Sequence, residues 1–249
     1  MISNCGHDEN GKYNGGVAGD QTGKEWEIIP FYKRPWTKML RHPNAKVGEL
    51  IALLAREAAN NNLVGYDQGA RTTFWKALAA TGTYHPKDIK VACEADCSGG
   101  VAALVKAAGN ILNDMKLARV SENIYTGNMS EALKAAGFVE YTDAKYLNSD
   151  DYLIPGDVLL YPGHHTATNL DTGKMAKKTI VDPNPLVPGW HTDAIGHWYR
   201  HTQGKGPDTY YHDGFYKVNN KWYAFDSNGY VVIDKNRIQL NADCSYTIV

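Results

Sequence analysis

The sequence has little of several features that would assign a chain to a class at once. It has four cysteines in 249 residues, which are too few and too scattered for a disulfide framework: Cys5, Cys93, Cys97 and Cys244. Its formal net charge of -1 gives no electrostatic reason to expect nucleic acid or an anionic membrane as a partner. No segment approaches the roughly 18 apolar residues of a membrane-spanning helix. With 43% hydrophobic and 21% charged residues, the composition is that of a folded globular protein.

The amino-terminal run MISNCGH contains neither the basic stretch nor the apolar stretch of a signal peptide. We therefore expect the chain to be made in the cytoplasm, without a signal peptide and with reduced thiols. Any action outside the cell would then require release by another route.

Helical patterns occupy the middle of the chain, and strand patterns follow them. Apolar residues recur at helical spacing over about residues 46–60, and shorter helices are predicted over 71–80 and 130–136. From residue 138 onward, short β-prone runs alternate with Gly, Pro, Asn and Asp. Helices followed by strands favour an α+β domain in which helices pack on an antiparallel sheet.

Shifts in composition divide the chain into three parts. Residues 1–45 are polar, rich in glycine and interrupted by prolines, so they are predicted to form an arm packed on the main domain. Residues 46–205 are assigned to the main α+β domain. Residues 206–249 show short strand patterns separated by turn residues, which predicts a small β-hairpin appendage.

Cys97 is the first candidate for a reactive residue, because it opens a predicted helix. The run DCSGG at 96–100 places Asp96 at the N-cap, with an apolar stripe following it. Gly109 fits the position just beyond the helix end. The backbone N–H groups and the dipole at a helix start favour a thiolate. The charge of Asp96 opposes the thiolate, so a nearby base is also expected.

A pair of histidines downstream supplies the candidate base. His165 begins a predicted strand, and a cysteine beside an imidazole can act as a nucleophile with its base. Successive side chains of a strand point to opposite faces, so only one of His164 and His165 faces Cys97. We take His165 as the base, although the alternation alone does not decide between them.

A third polar group is expected to orient the imidazole through its other ring nitrogen. Asp182 is the candidate, because it ends the next predicted strand beside His165. Asn184 and His191 are alternatives, and Asp182 could equally be a turn residue before Pro183.

These residues resemble the NlpC-type and CHAP-type cell-wall hydrolases. The resemblance rests on DCSG at 96–99 and on PGDVL at 155–159, which leads to the strand of His165. The runs DQTGKEW, GYDQ and CEADC are similar to lysins of phages and prophages of Gram-positive bacteria. The resemblance covers about residues 47–182. It implies a papain-like fold and cysteine-dependent hydrolysis of amide bonds in bacterial peptidoglycan, with no metal and no cofactor.

The resemblance also implies a mechanism. Cys97 attacks a peptide-stem carbonyl, His165 protonates the leaving amine, and water releases the acyl-enzyme. Asp182 takes the third catalytic position, where the family often has histidine. The strand after His165 contains Thr168-Asn169, where apolar and aromatic residues are usual.

Three further residues are assigned to substrate binding. Tyr66 lies upstream of the cysteine as the family's active-site tyrosine does, so the resemblance implies a role at the substrate or in the oxyanion pocket. Ser98 and His164 adjoin the reacting residues and are expected to contact substrate. An endolysin of this kind would act on the cell wall after release.

The carboxyl-terminal strands carry a second resemblance. Their aromatic runs are similar to the hairpin repeats of choline-binding and related wall-binding modules. The implied contact residues for a wall polysaccharide are Trp222, Tyr223 and Tyr230. The alternative is that these rings form the core of the hairpins themselves.

Metal binding is the weaker interpretation of two clusters. The run DENG at 8–11 has oxygen ligands but lacks the later glutamate of a calcium loop, so a turn is favoured. Cys93, Cys97 and the paired histidines could count as four zinc ligands, but no CxxC accompanies them.

Two other functions compete with peptidoglycan hydrolysis. One is a non-catalytic wall-binding module on an inactive hydrolase fold, in which the aromatic hairpins matter and Cys97 does not. The other is a different papain-like cysteine enzyme, such as a deamidase or a transglutaminase-like toxin, which would act on soluble protein amides.

Overall fold

The computed structural model describes residues 1–176, 188–192, 195–202, 209–232, 238–240 and 246–248. The chain forms two compact units, residues 1–179 and 180–249. The predicted strand at 178–181, Asp182 and Cys244 lie outside the described residues.

The first unit combines strands and helices among its described residues. The strands are β1 (Ile2–Cys5), β2 (Trp26–Ile29), β3 (Lys38–Arg41), β4 (Val64–Tyr66), β5 (Cys93–Ala95), β6 (Val139–Tyr141), β7 (Val158–Tyr161) and β8 (His165–Asn169). The α-helices are α1 (Ala45–Ala59), α2 (Thr73–Ala80), α3 (Cys97–Leu112), α4 (Met115–Ala118), α5 (Met129–Ala135) and α6 (Ala144–Leu147). A short 3-10 helix spans Pro86–Asp88.

One six-stranded sheet organises this unit, in the order β2-β1-β8-β7-β3-β6. Every neighbouring pair in it is antiparallel. β4 and β5 form a separate parallel pair, in which Tyr66 lies opposite Ala95. The expectation of a mixed fold with an antiparallel sheet is confirmed.

The predicted arm over residues 1–45 is part of the sheet instead. It contributes β1, β2 and β3, and β1 lies between β2 and β8. Ser3 of β1 is opposite Ile28 on one side and Thr168 on the other. Each of these strands has only four residues. An alternation of apolar and polar residues over four positions is too short to distinguish a strand from the surrounding polar loops.

The predicted helices are present with small shifts of their ends. α1 starts after Asn44, whose side chain accepts the N–H of Lys46, and it buries Val47, Ile51 and Leu54 along one face. α2 and α5 match the predictions for 71–80 and 130–136 within two residues. The predicted strands after residue 138 correspond to β6, β7 and β8.

The helix that carries Cys97 is longer than predicted. α3 continues through Gly109 to Leu112, and the chain leaves it at Asn113 with a left-handed φ of 56°. At Gly109 a Cβ atom would overlap Leu117 and the backbone of Ala118 in α4. The close crossing of α3 and α4, and not a helix end, therefore requires this glycine.

The sheet has a hydrophobic core on each face. Strand β7 shows the alternation, since Val158 and Leu160 pack on the helix side while Leu159 packs on the opposite side. The helices α1, α2 and α3 cover the first face with side chains that include Leu54, Phe74 and Leu104. The core on the second face is formed by side chains that include Ile2, Trp36, Met39, Leu147 and Leu153.

The second unit contains three described antiparallel strand pairs. They are β9 (Gly189–Thr192) with β10 (His197–Arg200), β11 (Gly214–Val218) with β12 (Lys221–Phe225), and β13 (Ile238–Leu240) with β14 (Tyr246–Ile248). The first pair begins before the predicted boundary at residue 205. The division therefore falls earlier in the chain than the change in composition at residue 206 suggested.

We expect Gly109→Ala to destabilise the protein by roughly 1–3 kcal/mol, because the added methyl group would push α4 away from α3. The midpoint of urea denaturation measures this change. If Gly109 were an unconstrained helical position, alanine would instead stabilise the protein by about 1 kcal/mol.

Candidate active site

The junction between β5 and α3 fixes the position of Cys97. Asp96 is the N-cap, and its carboxylate accepts the N–H of Gly99 at 2.5 Å. The same carboxylate accepts the hydroxyl of Ser98 at 3.0 Å and pairs with the guanidinium of Arg71 at 3.2 Å. These bonds hold the first turn, so that the thiol sits at the first residue of the helix.

Ser98 was expected to contact substrate, but its side chain supports the cap. It is 2% exposed, and its hydroxyl is shared between Asp96 and a second bond from Arg71 at 3.3 Å. The side chain of Ser98 points into the first turn for this reason.

Cys97 is buried, at 8% exposure, and lines a cleft. Burial, with a smaller contribution from Asp96, raises the pKa of its thiol to about 11. The peptide N–H groups of Thr166 and Ser98 oppose this shift because they stabilise the thiolate. The contact with Thr166 also places the sulfur against β8. At neutral pH the thiol is protonated and needs a base in order to react.

His165 is the buried histidine of the pair and lies at the start of β8, at 6% exposure. Its ring stacks on that of Trp36, with centroids 5.9 Å apart. Burial, followed by the positive charge of Arg34, lowers the pKa of His165 to about 4. The imidazole is therefore neutral at pH 7 and has a lone pair that can accept a proton.

Asn4 sets the tautomer of His165. Its Oδ1 lies 2.9 Å from Nε2 of His165 and also accepts the hydroxyl of Tyr32 at 3.1 Å. An amide oxygen only accepts, so Nε2 carries the proton and Nδ1 keeps the lone pair. Asn4 thus has the geometry expected of a third polar group. The sequence did not predict Asn4, because it lies 161 residues before His165 and the predicted candidates all follow the histidine.

His164 lies on the outer side of the same turn. It is exposed, and its ring stacks on Tyr161 with centroids 4.1 Å apart. Both histidines line the cleft, but the amide of Asn4 orients only His165. The geometry therefore favours His165 as the base, and it leaves His164 at the surface where a substrate could reach it.

The cleft has a volume of about 400 Å³ and brings together residues far apart in the sequence. Its lining includes Asn4, His7, Tyr13, Arg34, Tyr66, Gln68, Cys97, His164 and His165. The hydroxyl of Tyr66 accepts a hydrogen bond from Gln68 at 3.2 Å. Burial, and next the proximity of Cys97, raise the pKa of Tyr66, so this phenol stays protonated and can donate. Tyr66 therefore lines the same cleft as Cys97, and its role toward a substrate stays a prediction.

The other candidates for the third catalytic position lie beyond the described part of the first unit. Asp182 and Asn184 lie outside those residues, so the role of Asp182 stays a prediction. His191 belongs to the second unit, where its ring stacks on Trp198 at 4.2 Å.

No group of three or more His, Cys, Asp or Glu side chains within the described ranges is placed to hold a metal ion. The carboxylate of Asp8 accepts the N–H groups of Asn10 and Lys12 at 2.9 Å and 2.7 Å, which is the bonding of a turn. Cys93 packs in the core with its sulfur 3.5 Å from the carbonyl of Leu63. Burial raises the pKa of Cys93 to about 12, as suits an unreactive cysteine.

The aromatic residues predicted to bind wall polysaccharide differ in exposure within the second unit. Trp222 on β12 is 68% exposed. Tyr223 is half-buried, and its ring meets that of Trp190 edge to face at 4.7 Å. The backbone of Tyr230 bridges that of Trp198. Of the three, Trp222 is the side chain most open to a ligand.

The fold and the site define the first unit as a mixed α/β domain with an antiparallel sheet and a cleft that is lined by one cysteine and three histidines. The model of the endolysin-like domain family matches residues 2–176, nearly the whole of this unit. The chain therefore belongs to the endolysin-like domain family. None of the helices in the described part of the chain is long and apolar enough to cross a membrane.

Comparison with individual proteins adds little to the family match. No curated protein matches the chain. Two crystal structures of the modular Cpl-1 endolysin with a peptidoglycan analogue, one of the wild type and one of a mutant, align at 22% identity. Each alignment covers 34% of this chain and 24% of the Cpl-1 chain, with a TM-score of 0.16. The chain thus spans about a quarter of Cpl-1, and the alignment supports no conclusion about shared structure.

The lowered pKa of His165 predicts a specific loss of stability in acid. The unfolded chain takes up the proton at about pH 6.5, whereas the folded protein does so only near pH 4. Stability is therefore lost as the pH falls from about 6.5 to 4, by roughly 3 kcal/mol. His165→Gln should remove this component of the pH dependence, as measured by urea denaturation at a series of pH values.

His164→Gln is the matched control for this measurement, since it removes an exposed histidine from the neighbouring position. It should leave the acid dependence of wild type in place. Identical pH profiles for wild type and His165→Gln would show that burial of this imidazole does not destabilise its charged form.

Proposed function

We propose that this protein hydrolyses amide bonds of bacterial peptidoglycan, with Cys97 as the nucleophile and His165 as the base. Membership in the endolysin-like domain family supports the wall as substrate. The observation that carries the proposed chemistry is the cleft lined by both Cys97, the first residue of α3, and the imidazole of His165, which Asn4 orients. We assign the fold to the papain-like class and its NlpC or CHAP branch on the same grounds, together with the sequence motifs.

The mechanism begins from a neutral pair. With a thiol pKa of about 11 and an imidazole pKa of about 4, the proton stays on sulfur until a substrate carbonyl is in place. As the sulfur attacks, Nδ1 of His165 takes the proton and then delivers it to the leaving amine. Water attacks the resulting thioester, with His165 again acting as the base, and releases the acid.

The oxyanion of each tetrahedral intermediate needs hydrogen-bond donors that are in place beforehand. The backbone N–H of Cys97 at the start of α3 is the proposed donor, as the helix dipole also favours negative charge there. Tyr66 adds a protonated phenol to the same cleft. The assignment of Asp182 to the third catalytic position remains a prediction from the sequence.

A wall-binding role for the second unit is supported by the exposure of Trp222, because an open aromatic face suits stacking on a sugar ring or contact with a cation. In this proposal the protein is made in one compartment and acts on the wall after release. The second unit would then hold the first near its substrate.

Loss of turbidity of purified Gram-positive cell walls tests the proposal directly. Cys97→Ala should reduce the rate at least about a hundredfold, because no other group in the cleft can form the thioester. Mass spectrometry of the fragments should reveal new amino termini or a freed lactyl group. Cys93→Ala is the matched control, because it removes a buried cysteine of the same chain that does not line the cleft.

Three results would contradict this function. Clearing that survives Cys97→Ala would exclude the thiol as nucleophile. Binding to walls without any cleavage, across several wall types, would favour the non-catalytic binding module. Hydrolysis of glutamine side chains in soluble proteins, with none on walls, would favour a deamidating enzyme.

Asn4 is a positioning residue in this mechanism, and its variants should reveal that role. Asn4→Ala should lower kcat by roughly a hundredfold with little change in KM, because the imidazole loses its fixed tautomer. Asn4→Asp keeps an acceptor for Nε2 and should retain more activity. Its acid limb should move to higher pH, since a carboxylate stabilises the imidazolium. Equal loss in both variants, with no movement of the pH profile, would indicate a purely structural residue.

A further inference from the structure

We infer that Arg34 binds a free carboxylate of the wall peptide, so that the enzyme selects stems in which the carboxylate near the scissile amide has not been amidated. This inference rests on the proposed function, since it names a substrate feature for the same cleft. Peptide stems of peptidoglycan carry such carboxylates on glutamyl residues, and amidation converts them into neutral carboxamides.

Arg34 is placed to meet the substrate. It lines the cleft together with Cys97 and His165. Among the described residues, it is the one permanently charged side chain in that lining, and no aspartate or glutamate lines the cleft beside it. An anionic group entering the cleft would therefore find a cation without a competing carboxylate.

The guanidinium of Arg34 also has bonding capacity left. Within the described part of the chain, Arg34 forms no ion pair. Its Nη1 donates a hydrogen bond to the hydroxyl of Tyr32 at 3.3 Å. Three other arginines of this unit are committed to carboxylates. They pair at 2.6 Å, 2.5 Å and 3.2 Å, namely Arg41 with Asp157, Arg56 with Asp171 and Arg71 with Asp96. A guanidinium has five donors in a planar fork that matches a carboxylate.

Arg34 is linked to the catalytic base as well as to the cleft. Its Nη1 donates to Tyr32, the hydroxyl of Tyr32 donates to Asn4, and Oδ1 of Asn4 accepts from His165. The positive charge of Arg34 is the second cause, after burial, of the lowered pKa of His165. A carboxylate bound to Arg34 would offset that charge and make His165 a stronger base.

The substrate would therefore activate the residue that deprotonates Cys97. An amidated stem could still fit the cleft, but it would leave the charge of Arg34 in place and the base weak. Selection would act on kcat through His165 as well as on binding through Arg34.

The first test measures binding, so that it does not depend on catalysis. Two synthetic stem peptides, identical except for a free α-carboxylate or a carboxamide on the glutamyl residue, are titrated into the Cys97→Ala protein by calorimetry. The acid should bind roughly 10- to 100-fold more tightly than the amide, as expected for a charged bidentate hydrogen bond. Adding Arg34→Gln should bring the acid down to the affinity of the amide.

Lys33→Gln is the matched control, because it removes the same charge from the adjacent exposed residue, which does not line the cleft. It should preserve the preference for the acid. Equal affinity of the two peptides, or a preference that survives Arg34→Gln, would overturn the inference. A preference lost equally in Lys33→Gln would overturn it too, since general surface charge would then explain the selection.

The second test measures hydrolysis of the same peptides by the protein with Cys97 intact. Arg34→Gln should reduce kcat/KM for the acid by at least roughly tenfold. It should raise kcat/KM for the amide, because His165 becomes a stronger base once the positive charge is removed. In the free enzyme it should also move the acid limb of kcat/KM to higher pH, because the imidazolium loses a repelling charge. If neither peptide is cut while the binding preference holds, the proposed function fails and the carboxylate site stands.

Discussion

The antiparallel pairing of β1 with β8 is the constraint on which the site depends. It joins residues 2 and 3 to residues 169 and 168, and thereby places the first strand of the chain inside the sheet. Asn4 then lies diagonally across from His165, within hydrogen-bond distance of Nε2. Without this pairing the histidine would keep its place on β8 but would lose the amide that fixes its tautomer.

Buried carboxylates hold the loop between β1 and β2 against the strand that leads to Cys97. Asp20 accepts backbone N–H groups from several residues of its own loop, including Gly23 at 2.6 Å and Glu25 at 3.0 Å. Glu25 in turn accepts the N–H of Tyr66 at 3.0 Å, and Glu94 accepts that of Gly19 at 2.5 Å. Loop N–H groups have no strand partner, so these carboxylates take the place of the backbone hydrogen bonds of a sheet. Each hydrogen bond to a charged acceptor stabilises the fold by about 1.5–3 kcal/mol.

This arrangement has an electrostatic cost at Glu94. Burial, with the neighbouring charge of Glu25, raises the pKa of Glu94 to about 7. A raised carboxyl pKa means that its contribution to stability is complete below about pH 4.5 and declines as the pH rises through 7. His165 has the opposite dependence. The contributions of the two groups therefore oppose each other between about pH 4.5 and 6.5.

Burial shifts the pKa values of Cys97 and His165 in directions that have the same consequence. It raises the pKa of Cys97 and lowers that of His165, so both favour their neutral forms. A preformed thiolate–imidazolium pair would need the reverse order of pKa values. In the proposed mechanism, the thiol of Cys97 therefore stays unreactive toward solvent and oxidants until a substrate is bound.

The sequence predicted those parts of the structure that depend on local patterns. α1 followed from its apolar spacing, and the start of α3 followed from Asp96 and the small residues behind it. The sequence motifs also predicted that Cys97 and His165 lie near each other, and both line one cleft, while their catalytic roles remain predictions. β1, β2 and β3 were missed because strands of four residues leave too short an alternation. Asn4 was missed because only the register of β1 against β8 makes it a neighbour of His165. Gly109 was misassigned because a glycine at a helix crossing and one at a helix end look alike in sequence.

The separation of 161 residues between Asn4 and His165 has a consequence for the order in which the molecule matures. α3 forms from contacts near in sequence, so the segment that contains Cys97 can fold early during synthesis. The sheet closes only after β8 has left the ribosome and has paired with β1, which is synthesised long before it. The site is therefore completed late, by one long-range strand pairing. A nascent or truncated chain that has already formed α3 still lacks the imidazole of His165 in the orientation that Asn4 fixes.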